Sequence, residues 1–345
     1  LNVVSYLAII LLVTWEQNYL LALGIGTVTE VVLNIWISWY VEQKYPFLRQ
    51  RRKEKSTSSL TKRIVRDLKS LFISRISEKM LYCTDNLIIS GFIGVGTVGR
   101  YANYCMITQA ISNILTILAN TIQPTVGDYF TEKNRQRNYE ILRQLTFGFF
   151  CIASVVSVGL FSLITPFVRD IWLGPSYELG WGITVFCIVV LLVRIMGLPL
   201  SLVMGVTGLF EKEKNVGASS ALLNLIVSLA LVKPYGMAGV LLGTLLSYLL
   251  QILYRYIIYF RDFLEMPGEA LRYAQDIGEY LAVIAGEVLL MQKIVPLIYG
   301  AGGMLLFCVC FLLCIAIPLL LDLVIFGRGW RLQSIVTMVK GMRKA

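Results

Sequence analysis

The sequence predicts an all-α, polytopic membrane protein of about ten transmembrane helices, and three observations carry that expectation. Of its 345 residues 57% are hydrophobic and 15% charged, where soluble domains carry about 25% charge. The mean hydropathy is +0.72. The apolar residues gather in runs of roughly 17–25, the length that crosses a bilayer core as a helix. The basic residues lie between the runs and alternate in density from one connection to the next, as a membrane topology distributes them.

Taken in order, the runs are 1–14, 19–40, 71–92, 101–124, 146–168, 181–204, 216–232, 237–259, 279–297 and 301–326. Of the 31 Lys and Arg, 23 fall in the connections read as cytoplasmic: 41–70, 125–145, 205–215, 260–276 and 327–345. The connections read as external hold only Arg100, Arg169 and Lys233. No connection breaks the alternation, so the expected location is the cell membrane, multi-pass, with a cytoplasmic C-terminus. If 71–92 did not cross, the basic stretch 128–143 would land outside. The first run opens at Leu1 with neither a methionine nor a charged leader, which is not a signal-peptide pattern. The expectation is a fragment, or a gene whose beginning is missing.

The third run carries the most information. At 100° per residue, Arg75, Glu78, Lys79, Tyr82, Asp85 and Asn86 fall within an arc of roughly 120°. Phe72, Ile73, Ile76, Met80, Leu81, Leu87 and Ile88 take the rest of the circumference. A charge facing lipid at mid-bilayer costs about 2.5–3.5 kcal/mol on the insertion scale, so this face should line water or protein. The i, i+4 cations Arg75 and Lys79 suit a phosphate or pyrophosphate. Glu78 and Asp85 could accept a coupling cation or proton, or neutralise the two bases; an internal ion-pair network is the plainer alternative.

The fourth run repeats the stripe without charge. Gln109, Ser112, Asn113, Thr116, Asn120 and Gln123 share about 100° of arc, fit either for interhelical hydrogen bonds or for lining the same aqueous cavity. Tyr82, Tyr101 and Tyr104 could stack on sugar rings or form an interfacial belt. Glu30, Arg194 and Glu287 lie near mid-depth of their runs and are candidates for coupling or substrate contact. Arg255 and Asp322 lie near helix ends, where the expectation is that they snorkel to the interface, as Lys293 could at the outer end.

Punctuation completes the reading. Gly91, Gly94, Gly96 and Gly99 suggest a flexible turn after the third run. Gly197-Leu198-Pro199 should break or kink the sixth, and Lys233-Pro234-Tyr235-Gly236 should make a tight turn. The seven cysteines all sit in apolar runs and are expected to be buried, reduced and hydrophobic in role. With no histidine and such cysteines, a zinc site or disulfide framework is not expected. The net charge of +10 is topogenic in its distribution rather than a nucleic-acid footprint. The basic, Ser/Thr-rich stretch 42–70 reads as a solvated linker that could also meet anionic lipid head groups. No nucleophile–base pair or nucleotide loop stands out, no cofactor is expected, and the connections are too short for a soluble catalytic domain.

TDNLIISGFIGVGTVGRYANY (Thr84 to Tyr104), TPFVRDIWLGPSYELG (Thr165 to Gly180) and YPFL (Tyr45 to Leu48) resemble polysaccharide or O-antigen flippases of the multidrug/oligosaccharidyl-lipid/polysaccharide exporter superfamily. The resemblance implies two helical lobes around a central cavity. It makes 1–43 the last two helices of an N-terminal bundle, 44–70 the linker, and 71–260 a complete C-terminal six-helix lobe. Two additional helices fill 261–327, and 328–345 is a basic tail. The implied ligand is an undecaprenyl-diphosphate-linked oligosaccharide, flipped by alternating access while its lipid tail stays in the bilayer. Arg75, Lys79, Tyr82, Asn86, Gln109, Asn113, Asn120 and Arg194 are then candidate substrate contacts, and Glu78, Asp85, Glu30 and Glu287 candidate coupling groups. Other expected partners are membrane lipids; partners in polysaccharide assembly are not named by the residues. A cation-coupled multidrug exporter of the same superfamily, or a non-functional truncated remnant, are the rival readings, and a membrane enzyme would need a larger loop.

Overall fold

The computed structural model of the chain describes residues 19–45, 83–130, 134–300 and 302–327, with six isolated positions between 65 and 80. Among the described residues all regular structure is helical. Compactness divides the chain into Leu1–Lys62 and Arg63–Ala345.

The first unit contributes α1, Tyr19–Lys44. Trp36 stacks on Tyr40 one turn away, with ring centroids 5.9 Å apart. Glu30 is exposed on this helix, among exposed Val28, Val31 and Val32.

The second unit runs as α2 (helical over 83–92), α3 (Val95–Phe130), α4 (Arg135–Pro166) and α5 (Trp181–Val206). It continues as α6 (Phe210–Tyr235), α7 (Met237–Ile257), α8 (Pro267–Tyr299) and α9 (Met304–Phe326). Seven of the described helices are long and apolar enough to cross a membrane, and they coincide with the fourth to tenth runs of the sequence. The first run lies outside the described residues, and so does most of 71–82.

The residue distribution is that of a protein solvated by hydrocarbon. Ile114 and Ile117 on α3, Leu253 on α7, and Leu305, Leu312 and Val324 on α9 are exposed. Asp85, Ser154, Asn224, Thr244, Glu287 and Asp322 are buried. A soluble domain reverses this pattern; in lipid, polar groups must find each other at helix seams.

Helix α4 is the hub, packed against α5, α8 and α9, while α5 also packs on α3 and α7. Its start is capped by Asn134, whose side chain accepts the backbone N–H of Arg137 at 3.2 Å. Arg143 of α4 donates to Asp276 of α8 at 2.7 Å, and three turns on Ser154 donates to Glu287 at 2.5 Å. Both pairs are 133 positions apart in sequence, so α4 and α8 run side by side in the same direction and in one register.

The turns differ from expectation in an instructive way. Helix α2 passes to α3 through Ile93 and Gly94 alone, and only Gly94 needs a glycine conformation, at φ +123°; Gly91, Gly96 and Gly99 are helical. The turn is short, not a flexible glycine loop. Between α6 and α7 the reversal is tighter than the four-residue turn expected, because α6 continues through Pro234 and Tyr235 and Gly236 alone reverses the chain. The hairpin closes face to face through Gly239, against the Leu231 carbonyl, and Gly243, against Ser228. This Gly-x3-Gly-x3-Ser ladder (Gly239, Gly243, Ser247) is the small-residue seam that lets membrane helices touch backbone to backbone. Helix α5 is not broken at Gly197-Leu198-Pro199: it runs unbroken to Val206. Gly197 instead gives room to Ile252 of α7, whose Cγ1 would lie 2.9 Å from an added Cβ.

Candidate functional site

The tight α6–α7 hairpin presents a polar pair to α2. Asp85, 4% exposed, accepts the Thr244 hydroxyl at 2.7 Å through Oδ2 and the Asn224 amide at 3.4 Å through Oδ1. Asn224 also donates to Thr244 Oγ1 at 2.9 Å. Each residue comes from a different helix, and each is held by local geometry. Thr244 follows Gly243, where the hairpin is closest. Asn224 lies one turn before Ser228, whose hydroxyl donates to the Val240 carbonyl at 3.3 Å.

Two features distinguish this centre from a fully satisfied polar contact. Among the described residues no Lys or Arg pairs with Asp85, and the partners they supply are the Asn224 amide and the Thr244 hydroxyl. Among the described residues the buried Asn224 carbonyl oxygen has no hydrogen-bond partner, which is uncommon in a native core. Tyr101 and Cys105 of α3 and Cys187 of α5 close the seam within electrostatic reach of Asp85. The oxygens gathered here are a carboxylate, an amide carbonyl and a hydroxyl, with the Ser228 hydroxyl and Val240 carbonyl one turn away. Hard oxygen donors of this kind suit a proton or a hard cation.

The other sequence-derived candidates distribute unevenly. Arg75, Glu78 and Tyr82 lie outside the described residues. Lys79 and Asn86 are helical and exposed. On α3 the polar stripe splits along its length. Ser112 is buried, and Gln123 sits against α5, its Nε2 3.0 Å from where a Cβ on Gly205 would be. Gln109 is half-buried and donates to exposed Asn113 at 3.0 Å; Asn120 is also exposed. One edge of the stripe binds helices together and the other faces away from this unit.

Arg194 lies half-buried on α5 with its guanidinium 5.4 Å from the Tyr248 ring of α7. Glu287 belongs to the α4–α8 seam with Ser154, so Asp85 and Glu287 do not line one cavity.

Three expectations are corrected. Tyr101 and Tyr104 are buried, neither free to stack on a sugar nor part of an interfacial belt; Tyr104 accepts the Leu179 N–H at 3.2 Å. Asp322 does not snorkel: it is 3% exposed, because α9 packs that face on α4 and α8. Cys83 and Cys308 are exposed rather than buried; thiols are apolar enough to sit on a hydrocarbon-facing surface.

Sequence reasoning missed Asn224 and Thr244 as partners of Asp85. The available signal was the Gly239/Gly243 spacing, which marks a close helix pair and so a place where polar side chains must match.

The fold and centre together define a polytopic membrane protein with polar seams inside an apolar exterior. The family model described as "Polysaccharide biosynthesis protein" matches residues 1–130, a stretch that contains α1, α2 with Asp85, and α3. The match covers 130 of the chain's 345 residues. A comparison with curated proteins found no match.

Proposed function

We propose that this chain serves as an exporter that flips an undecaprenyl-diphosphate-linked oligosaccharide for surface polysaccharide synthesis. Movement is by alternating access and is coupled to a cation or proton at Asp85. The observation that carries the proposal is the Asp85–Asn224–Thr244 centre: a buried carboxylate with no cation beside it among the described residues, a spare carbonyl oxygen, and three separate helices converging on it. Occupying or emptying such a site changes the charge that holds α2 against the α6–α7 hairpin. That is how a bound ion can bias one packing over another.

The exposed edge of α3, with Asn113 and Asn120, supplies neutral hydrogen-bonding groups suited to sugar hydroxyls. Lys79, with Arg75 on the same predicted face, supplies the charge for a diphosphate. A multidrug exporter would instead gather its carboxylates in one cavity. Asp85 and Glu287 on different seams weigh against that reading.

Complementation tests it. In a flippase-deficient strain, the gene for this protein should restore surface polysaccharide, and Asp85→Asn or Thr244→Val should reduce it at equal membrane abundance. Undiminished polysaccharide from both variants sinks the coupling assignment. Failure of the unmodified gene to complement any such strain sinks the substrate.

A further inference from the structure

A second buried acidic centre lies where α4, α8 and α9 meet, apart from the Asp85 site. Helix α8 contributes Glu287, α9 contributes Asp322, and α4 contributes Ser154 and Cys151. Both carboxyl side chains are 3% exposed. Ser154 donates to Glu287 Oε2 at 2.5 Å. The remaining Glu287 oxygen and both Asp322 oxygens are buried with no hydrogen-bond partner among the described residues. The two carboxyls lie within electrostatic reach of each other, and Cys151 lies within reach of both.

Among the described residues the surroundings offer no cation. Phe147, Phe150, Tyr280 and Phe326 form an aromatic plug toward the Arg143 end, with Phe150 stacked on Tyr280 at 4.5 Å. Arg143 is three turns away on the same seam, about 16 Å along the axis, and is paired with Asp276. Arg194 lies over Tyr248 on the far side of α5. Toward the other end the nearest titratable group on α9 is Cys314, two turns from Asp322 and also buried.

Among the described residues, three acceptor oxygens here have no donor and the two carboxyls have no counterion. Two ionised carboxylates in a dry seam repel and leave each other's desolvation unrelieved. One proton relieves the repulsion, since a protonated carboxyl carries no charge and gains an O–H donor of its own. Hydronium delivers the proton: one of its O–H bonds breaks as the carboxyl O–H forms, water departs, and the pair's charge goes from −2 to −1.

We propose that Glu287 and Asp322 form an exchangeable proton-binding pair, independent of Asp85 and of the transport reading above. Infrared difference spectroscopy of the full chain in lipid nanodiscs, cycled between acid and alkaline buffer, tests it. The expected result is a reversible protonated-carboxyl band that loses about one carboxyl's amplitude in Glu287→Gln/Asp322→Asn, a double variant of nearly unchanged side-chain volume. Ser154→Ala retains both carboxyls and the band, and shifts its frequency because the hydroxyl donor is gone; this variant keeps the test decisive if the double variant fails to fold. Equal amplitude in wild type and double variant overturns the proposal, as does a Ser154→Ala spectrum identical to wild type. A band that does not respond to pH reduces the pair to a fixed structural acid and also overturns it. So does wild-type-specific bleaching by sodium but not choline at constant pH, which would make the occupant a metal cation.

Discussion

Thr244 donates its hydroxyl to Asp85 across 2.7 Å, joining α7 to α2 over 159 positions of sequence. The bond exists because Gly239 and Gly243 let α7 press against α6, which turns Thr244 and Asn224 together toward the carboxylate. Removing a donor from a buried carboxylate leaves it under-satisfied, at a cost of about 1–3 kcal/mol. Thr244→Val should therefore lower the unfolding temperature of the detergent-purified chain. Thr244→Ser, which keeps the hydroxyl, should recover most of the loss; equal melting of all three proteins would remove the bond from the account of stability.

Gly239→Ala should destabilise the chain by about 1–3 kcal/mol, because its Cβ would enter the Leu231 backbone of the facing helix. Gly148→Ala is the contrasting case, with open space around the added carbon. There the change should be neutral or stabilising by up to about 1 kcal/mol through helix propensity. Melting curves that order the two variants the other way would mean the hairpin does not close as described.

Arg143 and Asp276 pair at 2.7 Å with the aspartate almost fully buried. Truncating one partner strands the other's charge, typically at about 3–5 kcal/mol, whereas replacing both by apolar residues is often close to neutral. Arg143→Ala should thus lower stability more than the double replacement Arg143→Met/Asp276→Leu. Additive losses in the double variant would contradict the pairing.

Helix α3 has 36 residues, about 54 Å at the α-helical rise, against a hydrocarbon core of about 30 Å. Single cysteines at Gly94 and Asn134 in a cysteine-free background should then report opposite compartments to a membrane-impermeant maleimide. Labelling of both from the same side would refute a spanning α3 and the alternation of basic connections with it.

The architecture was legible in sequence because the bilayer imposes length and polarity on each helix separately. The runs 101–124 through 301–326 correspond one by one to α3 through α9. Local punctuation was less legible. Pro199 and Pro234 sit inside helices, since neighbouring helices and side chains can re-satisfy the freed backbone groups at such positions. Periodicity marked Asp85 as facing inward but could not name what it faces.

The sequence by itself determined that the chain crosses a membrane many times and that certain charges must avoid lipid, because both follow from transfer energies residue by residue. Tertiary structure alone decided which charges meet. It set Asp85 with Asn224 and Thr244 on one seam, and Glu287 with Asp322 on another. It also buried Tyr104 and Asp322, which position along a helix suggested were interfacial. Helix packing fixes those pairings, and packing depends on small-residue contacts between helices distant in the chain, which no single helix carries.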